Sequence, residues 1–302
     1  MAEARRPGAR PRLQSLWMLV AGLSFATMGI FVKHAAAQFS VAELVFYRSA
    51  IQLVIVWAVL ARAGVSVRTT RFGMHAHRGV AGFVSLFTFF YALTTLPVAT
   101  AMTLNYTSPL FLALLLTVLA RERPGRGLVA TIALGFAGVV LLLRPALHGD
   151  LLWPGIVGLA SGAISSIAYW NVRALVRARE PEARVVFYFA LFAALGSLVW
   201  MAPQAWHPVR LDNAWLLAGV GACGAAGQLA MTRAYGQGST LVAAALSYSG
   251  IVFSSVLGIV VFDDALPLVA WSGMALIVAA GIIAVQLQPG PRREPASQIT
   301  ND

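Results

Sequence analysis

Charge is what this chain has least of. Of its 302 residues only 11% are Asp, Glu, Lys or Arg, against about a quarter in a soluble domain. Cysteine is nearly missing as well. Cys223 alone, inside an apolar stretch, excludes an intrachain disulfide and any cysteine metal site within one chain. Catalytic signatures are absent: there is no HExxH and no GxxxxGK[ST]. His75 and His77 lie in a basic loop without acidic or cysteine partners, so neither a zinc site nor a nucleotide loop is expected. No metal and no cofactor is called for. Acids are missing from the middle of every apolar run, since Glu43, Glu122, Asp263 and Asp264 all fall at run ends. A carboxylate relay of the kind proton-driven pumps use is therefore not visible.

What fills the chain is hydrocarbon. Hydrophobic residues make up 59% of it and the mean hydropathy is +0.77. Runs of about 20 apolar residues match the bilayer core. Ten can be drawn, at 14–34, 43–62, 78–97, 99–120, 127–144, 151–173, 184–203, 212–234, 240–262 and 267–287. Helices are expected, because lipid offers a backbone no partner outside its own segment. The fold class is thus all-α, a polytopic membrane protein of ten transmembrane helices. Trp17, Trp153, Trp215 and Trp271 open runs, while Trp57 and Trp200 lie near the ends of others, as an interfacial aromatic belt requires. Arg5, Arg6, Arg10 and Arg12 before an apolar run imitate a leader peptide, yet that run is long and more follow, which favours a first span.

The net charge of +11 sits between runs and not on one face, so nucleic acid is not an expected partner and the lipid bilayer is. With a cytoplasmic N-terminus, 18 of the 22 basic residues fall on the cytoplasmic side, Arg78 among them as part of the second loop. Lys33, Arg48, Arg144 and Arg210 are the others. Both termini are therefore expected in the cytoplasm.

One stretch occurs twice. From Tyr91 to Pro124 the run carries Asn105, Tyr106, Thr107, Ser108 and Pro109 in its middle and ends on Arg121, Glu122 and Arg123. At an offset of 142, Ala101 falls on Ala243, Leu104 on Leu246, Tyr106 on Tyr248, Phe111 on Phe253 and Glu122 on Asp264. Lys33 matches Arg173, Phe46-Tyr47 matches Phe187-Tyr188, and Pro124 with Gly138 matches Pro267 with Gly281. Five spans per copy is an odd number, so the copies must be inverted: 14–144 and 151–287, with tails at 1–13 and 288–302. In transporters such repeats place the site near the midplane between the halves.

These features resemble the drug/metabolite transporter superfamily, in its EamA-type ten-helix members. The resemblance rests on Phe46-Tyr47-Arg48, Ala92-Leu93, the NYTSPLF of Asn105 to Phe111, the RERP of Arg121 to Pro124, and Gly135 with Gly138. It implies a central cavity lined mainly by spans one, three, four, six, eight and nine, with span two peripheral. It also implies a bacterial inner-membrane location and cargo among amino acids, other metabolites, vitamins, nucleotide-linked compounds or drugs.

Candidate substrate contacts are Asn105 and Tyr106 with their repeat partners Ser247 and Tyr248. Pro109 lacks the amide that would bond the carbonyl of Asn105, which permits a kink. Asn105 has a second reading, as a hydrogen-bonding tie between helices. Span six offers Tyr169 and Trp170, with Ser161 and Ser165 better suited to close packing. Tyr91, Gln228 and Tyr235 hold comparable places on spans three and eight. Gly219, Gly221, Gly224 and Gly227 mark close packing of span eight. Arg48 either meets a substrate carboxylate, snorkels outward, or pairs with Glu43.

The expectation is a non-enzymatic secondary transporter working as a monomer by alternating access. Export of small metabolites leads, with amino acids first among them. Uptake of a cofactor or nucleotide-like metabolite, of the riboflavin or S-adenosylmethionine type, is the alternative. A channel or an integral-membrane enzyme are the remaining classes.

Overall fold

The computed structural model describes residues 11–120, 126–143, 150–204, 206–237, 243 and 246–287. Among them the chain forms helices and no strand. A short α1 (Pro11–Ser15) leads into α2 (Trp17–Ala35), α3 (Val41–Arg62), α4 (Phe72–Thr95), α5 (Val98–Asn105), α6 (Ser108–Ala120) and α7 (Arg126–Leu143). Then come α8 (Leu152–Arg177), α9 (Glu182–Met201), α10 (Leu211–Gln237), α11 (Ser249–Phe262) and α12 (Leu268–Leu287). The charged stretch at 121–125, Arg144, residues 1–10 and residues 288–302, which carried several of the sequence expectations, lie outside the described residues.

Local chemistry sets the helix ends. Ser40 and Glu43 form a reciprocal capping box: Glu43 N–H donates to Ser40 Oγ at 3.3 Å, and Ser40 N–H to Glu43 Oε2 at 2.7 Å. Leu96 is extended because Pro97 follows it, and this stops α4 at Thr95. The run expected as one span at 99–120 is two helices, broken at Tyr106 and Thr107. Pro109 cannot donate to the carbonyl of Asn105, and Thr107 Oγ1 donates instead to the carbonyl of Leu104 at 2.6 Å. The break lets α8 approach closely. A side chain at Gly162 would collide with the Leu104 carbonyl.

Polarity is inverted relative to a water-soluble bundle. Arg48, Gln52, His75, Arg78 and Gln228 are buried, whereas Val54, Val199, Val260 and Leu268 are exposed. The apolar outer surface suits lipid, and the inside holds the polar groups. Trp17, Trp57, Trp153, Trp200, Trp215 and Trp271 all reach the surface, as the aromatic belt requires. Among the described residues, Leu13–Ala35, Val41–Arg62, Leu152–Arg177, Glu182–Met201 and Leu211–Gln237 are long and apolar enough to cross a bilayer. Val129–Leu142, Ser249–Phe262 and Leu268–Ile283 are shorter apolar helices. The chain is a multi-pass membrane protein.

Packing is most extensive between α2 and α10, α4 and α8, α7 and α12, and α3 and α9. Small residues make this possible. Gly219, Gly221 and Gly227 of α10 receive Phe31, Ile51 and Phe25, and α7 meets α12 backbone to backbone at Gly138 and Gly273. Two ends can be told apart. At the terminal end, where α2 begins and α12 finishes, Thr69 Oγ1 donates to Glu180 and the Arg184 guanidinium donates to the Ser66 carbonyl. At the distal end, where α2 finishes and α3 begins, Asn213 Nδ2 donates to Gln38 Oε1 at 3.0 Å.

Candidate functional site

A cavity of about 80 Å³ opens between α2, α3, α4, α5, α6, α8, α9 and α10. α4 contributes the stripe Arg78, Gly82, Ser85, Leu86 and Phe89, whose spacing of three and four residues keeps one helical face toward the cavity. Phe25 and Met28 of α2, Met102 of α5 and Met231 of α10 supply apolar, adaptable wall.

Asn105 ends α5 at this cavity, which it lines while tying helices together. Its Nδ2 donates to Ser161 Oγ at 3.0 Å and Ser165 Oγ at 3.3 Å. Ser85 extends the tie: its hydroxyl lies 2.5 Å from Ser165 Oγ and donates to the Ser161 carbonyl at 3.1 Å. Helices α4, α5 and α8 are thus held by one polar seam facing the cavity. Tyr106 crosses to α11, where its hydroxyl fills the space a side chain at Gly250 would need. Tyr169 and Tyr235 stand with ring centroids 6.3 Å apart and both line the cavity. Ser247 and Gln228 complete the polar lining, and Gln228 Oε1 is buried without a hydrogen-bond partner.

Three expected contacts are not in the lining. Tyr248 turns toward α12, its buried hydroxyl occupying the side-chain space of Gly281 without a hydrogen-bond partner. The repeat pair Tyr106 and Tyr248 thus turn to different neighbours, at Gly250 and Gly281. Trp170 is 37% exposed on the outer side of α8, since the next residue along a helix turns about 100° from Tyr169. Tyr91 lies off the α4 stripe, near the distal end of that helix.

Two arginines correct the sequence reading. Arg48 does not pair with Glu43, whose carboxylate accepts from Ser40 N–H and from His207 N–H and Nδ1 at 2.7, 2.7 and 2.8 Å. It does not snorkel either: only 1% exposed, it reaches inward, with Nε 3.4 Å from Met28 Sδ. Span two is therefore not peripheral to the cavity. Arg78, assigned to a cytoplasmic loop, sits inside α4, is 4% exposed and lines the same space. The signal was present in the sequence, because Gly82, Ser85 and Phe89 continue its helical face. His75 is also buried and has an acidic neighbour after all, Glu180 Oε2 at 3.4 Å. Chain order hid this pair, since Glu180 comes from the α8–α9 connection.

Both ends of the bundle carry polar ties. At the distal end Lys33 Nζ lies 3.4 Å from Asp264 Oδ1 and over the Phe262 ring. Val98 N–H donates to Asp264 Oδ2 at 3.3 Å, which sets a carboxylate at the positive end of α5. At the terminal end, burial alone would raise the Glu180 carboxyl. Hydrogen bonds from Arg184 and Thr69 outweigh burial and hold it below the ordinary carboxylate value.

An all-helical membrane bundle with a polar internal cavity is compatible with a small-molecule carrier, and comparison places it in a family. Residues 12–144 match the EamA-like transporter family. The chain is 30% identical over 275 residues to the pseudopaline exporter CntI of Pseudomonas aeruginosa (strain UCBPP-PA14), covering 91% of this chain and 96% of that one. It is 27% identical to a riboflavin transporter of Vibrio cholerae, over 89% of this chain and 91% of the relative. A solved crystal structure superposes with a TM-score of 0.66 at 24% identity, over 93% of this chain and 99% of its own, which shows the same fold. The chain belongs to the EamA-type transporters of the drug/metabolite transporter superfamily. It is a transporter of small molecules, not an enzyme.

Proposed function

We propose that this protein is a bacterial inner-membrane secondary transporter that moves small metabolites, amino acids first among them, out of the cell by alternating access. The single observation that carries the reading is the polar cavity inside the helical bundle, lined by Asn105, Tyr106, Tyr169, Gln228, Ser247 and Arg48. Its tyrosines, hydroxyls and the unpartnered Gln228 Oε1 suit a solute with both polar and hydrocarbon parts. Asn105, Tyr106, Tyr169, Gln228, Ser247 and Arg48 form the proposed contact set.

The helix pairing supports ten spans in two inverted copies, 14–144 and 151–287. Exchanging the copies turns the α2–α10 pair into the α8–α4 pair, while α3–α9 and α7–α12 map onto themselves. A two-fold relation between halves gives that pattern. In this arrangement both termini are cytoplasmic, one chain holds a complete site, and the monomer is the working unit. Met18 and Tyr235 lie near the terminal ends of α2 and α10, so the cavity opens toward the cytoplasm and the Lys33–Asp264 pair faces outward. The resemblance to an exporter at 30% identity favours export. The likeness to a riboflavin transporter supports uptake of a cofactor-like metabolite as the second reading.

Counterflow in proteoliposomes tests the carrier reading. Saturable uptake of labelled solute, driven by the same unlabelled solute inside, is expected for at least one metabolite class. Linear, non-saturating flux would identify a channel and overturn it.

A further inference from the structure

Two guanidinium groups inside a lipid-embedded bundle need an explanation. Arg48 and Arg78 come from neighbouring helices running in opposite directions, and both lie over the ring of Phe189, at 5.5 and 4.4 Å from its centroid. The aromatic ring is a weak partner for either charge. Arg48 Nη1 and Arg78 Nε and Nη1 are buried and have no hydrogen-bond partner. Among the described residues no carboxylate forms an ion pair with them: Glu43 is held by Ser40 and His207, Glu180 by Arg184 and Thr69, and Asp264 by Lys33 and Val98. Desolvating a single ion costs several kcal/mol, and two like charges side by side add mutual repulsion. Structural arginines in such a place would have been given acids. These two face a cavity instead.

We infer that Arg48 and Arg78 form the anion-recognition subsite of the transport cavity, and that the cargo is an organic anion carrying one or more carboxylates. This rests on the transporter reading above and narrows its substrate class. Arginine donates through a planar fork that pairs with both oxygens of a carboxylate, and unused donors on two arginines can hold two carboxylates or both sides of one. Phe25, Phe89, Met28 and Met102 then face the hydrocarbon part of the solute. Gln228 Oε1, the unpartnered acceptor on the same cavity, suits an N–H donor on it. A cation finds no fixed negative charge among the described lining residues, so charge selects against polyamines and for acids.

The arrangement also makes the empty protein the strained one. Replacing a buried, unmatched charge by an apolar side chain of similar length removes a desolvation cost, so Arg78→Met should melt higher than wild type without ligand. An arginine that served only to join helices would give the opposite sign.

Thermal melting of the purified full chain in detergent tests this, with succinate and glutarate as probes, their uncharged diamides as controls, and inorganic phosphate and chloride to separate carboxylate recognition from general anion binding. The expected result is a rise in melting temperature with the carboxylates and none with the diamides. In Arg48→Gln and Arg78→Gln the half-saturating concentration should rise at least tenfold, with Arg48→Lys and Arg78→Lys partly restoring it. Equal shifts from diamide and acid, or shifts from phosphate and chloride alone, would overturn the carboxylate assignment. So would lower ligand-free melting of Arg78→Met. Counterflow on the same preparation separates the two levels: exchange of neutral solutes unaffected by either Gln variant ends the anion proposal and leaves the carrier intact, whereas absence of saturable exchange for every solute ends both.

Discussion

Lys33 and Asp264 meet at the distal end of the bundle across 3.4 Å, joining the last turn of α2 to the second residue beyond α11. The pair is partly exposed, at 22% and 11% of the side chains. An ion pair at such a place contributes about 1 kcal/mol, enough to bias a conformational equilibrium and too little to lock it. Asp264→Asn should therefore shift the population toward distal opening by about fivefold. Labelling of a distal cysteine by an impermeant thiol reagent, in a Cys223→Ser background, should accelerate accordingly. Unchanged labelling would remove the gate from the account.

The two repeat tyrosines make opposite predictions for function. Tyr106 faces the cavity and should not tolerate loss of its ring: Tyr106→Ala lowers transport more than tenfold while the protein still inserts. Tyr248 is buried against α12 with an unpartnered hydroxyl. Tyr248→Phe removes a polar group that gains nothing, so stability should hold or rise by up to about 1 kcal/mol and transport should persist. Melting curves and initial rates check both.

Glycine contacts set a second stability test. Gly281→Ala places a methyl where the Tyr248 hydroxyl lies, and overpacking of this kind costs about 1–3 kcal/mol. Combining it with Tyr248→Ala should recover much of the loss, because the two positions share one space. Additive losses in the double variant would contradict the contact.

The helical membrane class was legible in the sequence because lipid leaves few choices. Tryptophans at run ends and the glycines of α10 each pointed to what the structure holds. The Pro109 break was legible for the same local reason, a missing amide. The cavity was only half legible. Asn105, Tyr106, Tyr169, Gln228, Ser247 and Arg48 line it, but Trp170, Tyr91 and Tyr248 do not; for Trp170 the one-residue step from Tyr169 turns the side chain off the cavity face. Arg78 and His75 were misread as loop residues because their charge masked an amphipathic start to α4. The Glu180 partner of His75 lies far along the chain, and no spacing rule reaches it.

Glu180 gives the pH test. Its folded-state pKa is lowered, so the unfolded chain takes up the proton more readily than the native protein does. Its contribution is complete above the ordinary carboxylate value and is lost as pH falls through the lower native one. The group lies in the α8–α9 connection paired with Arg184 at 2.9 Å, and such a pair contributes about 1 kcal/mol. Glu180→Gln should lower the melting temperature at pH 7 and narrow its gap to wild type in the acid range below the usual carboxylate pKa. A gap independent of pH would assign Glu180 no electrostatic role.

Alternating access around the cavity is the central claim, and sided accessibility of Ser165→Cys in a Cys223→Ser background measures it most directly. Ser165 lines the cavity beside Asn105. In oriented vesicles an impermeant thiol reagent should modify the introduced cysteine readily from the side bearing the termini and slowly from the other, with the slow rate rising when Asp264→Asn is added. Equal, rapid modification from both sides at once would describe an open pore, and no modification from either side would describe a closed core; each would contradict the account.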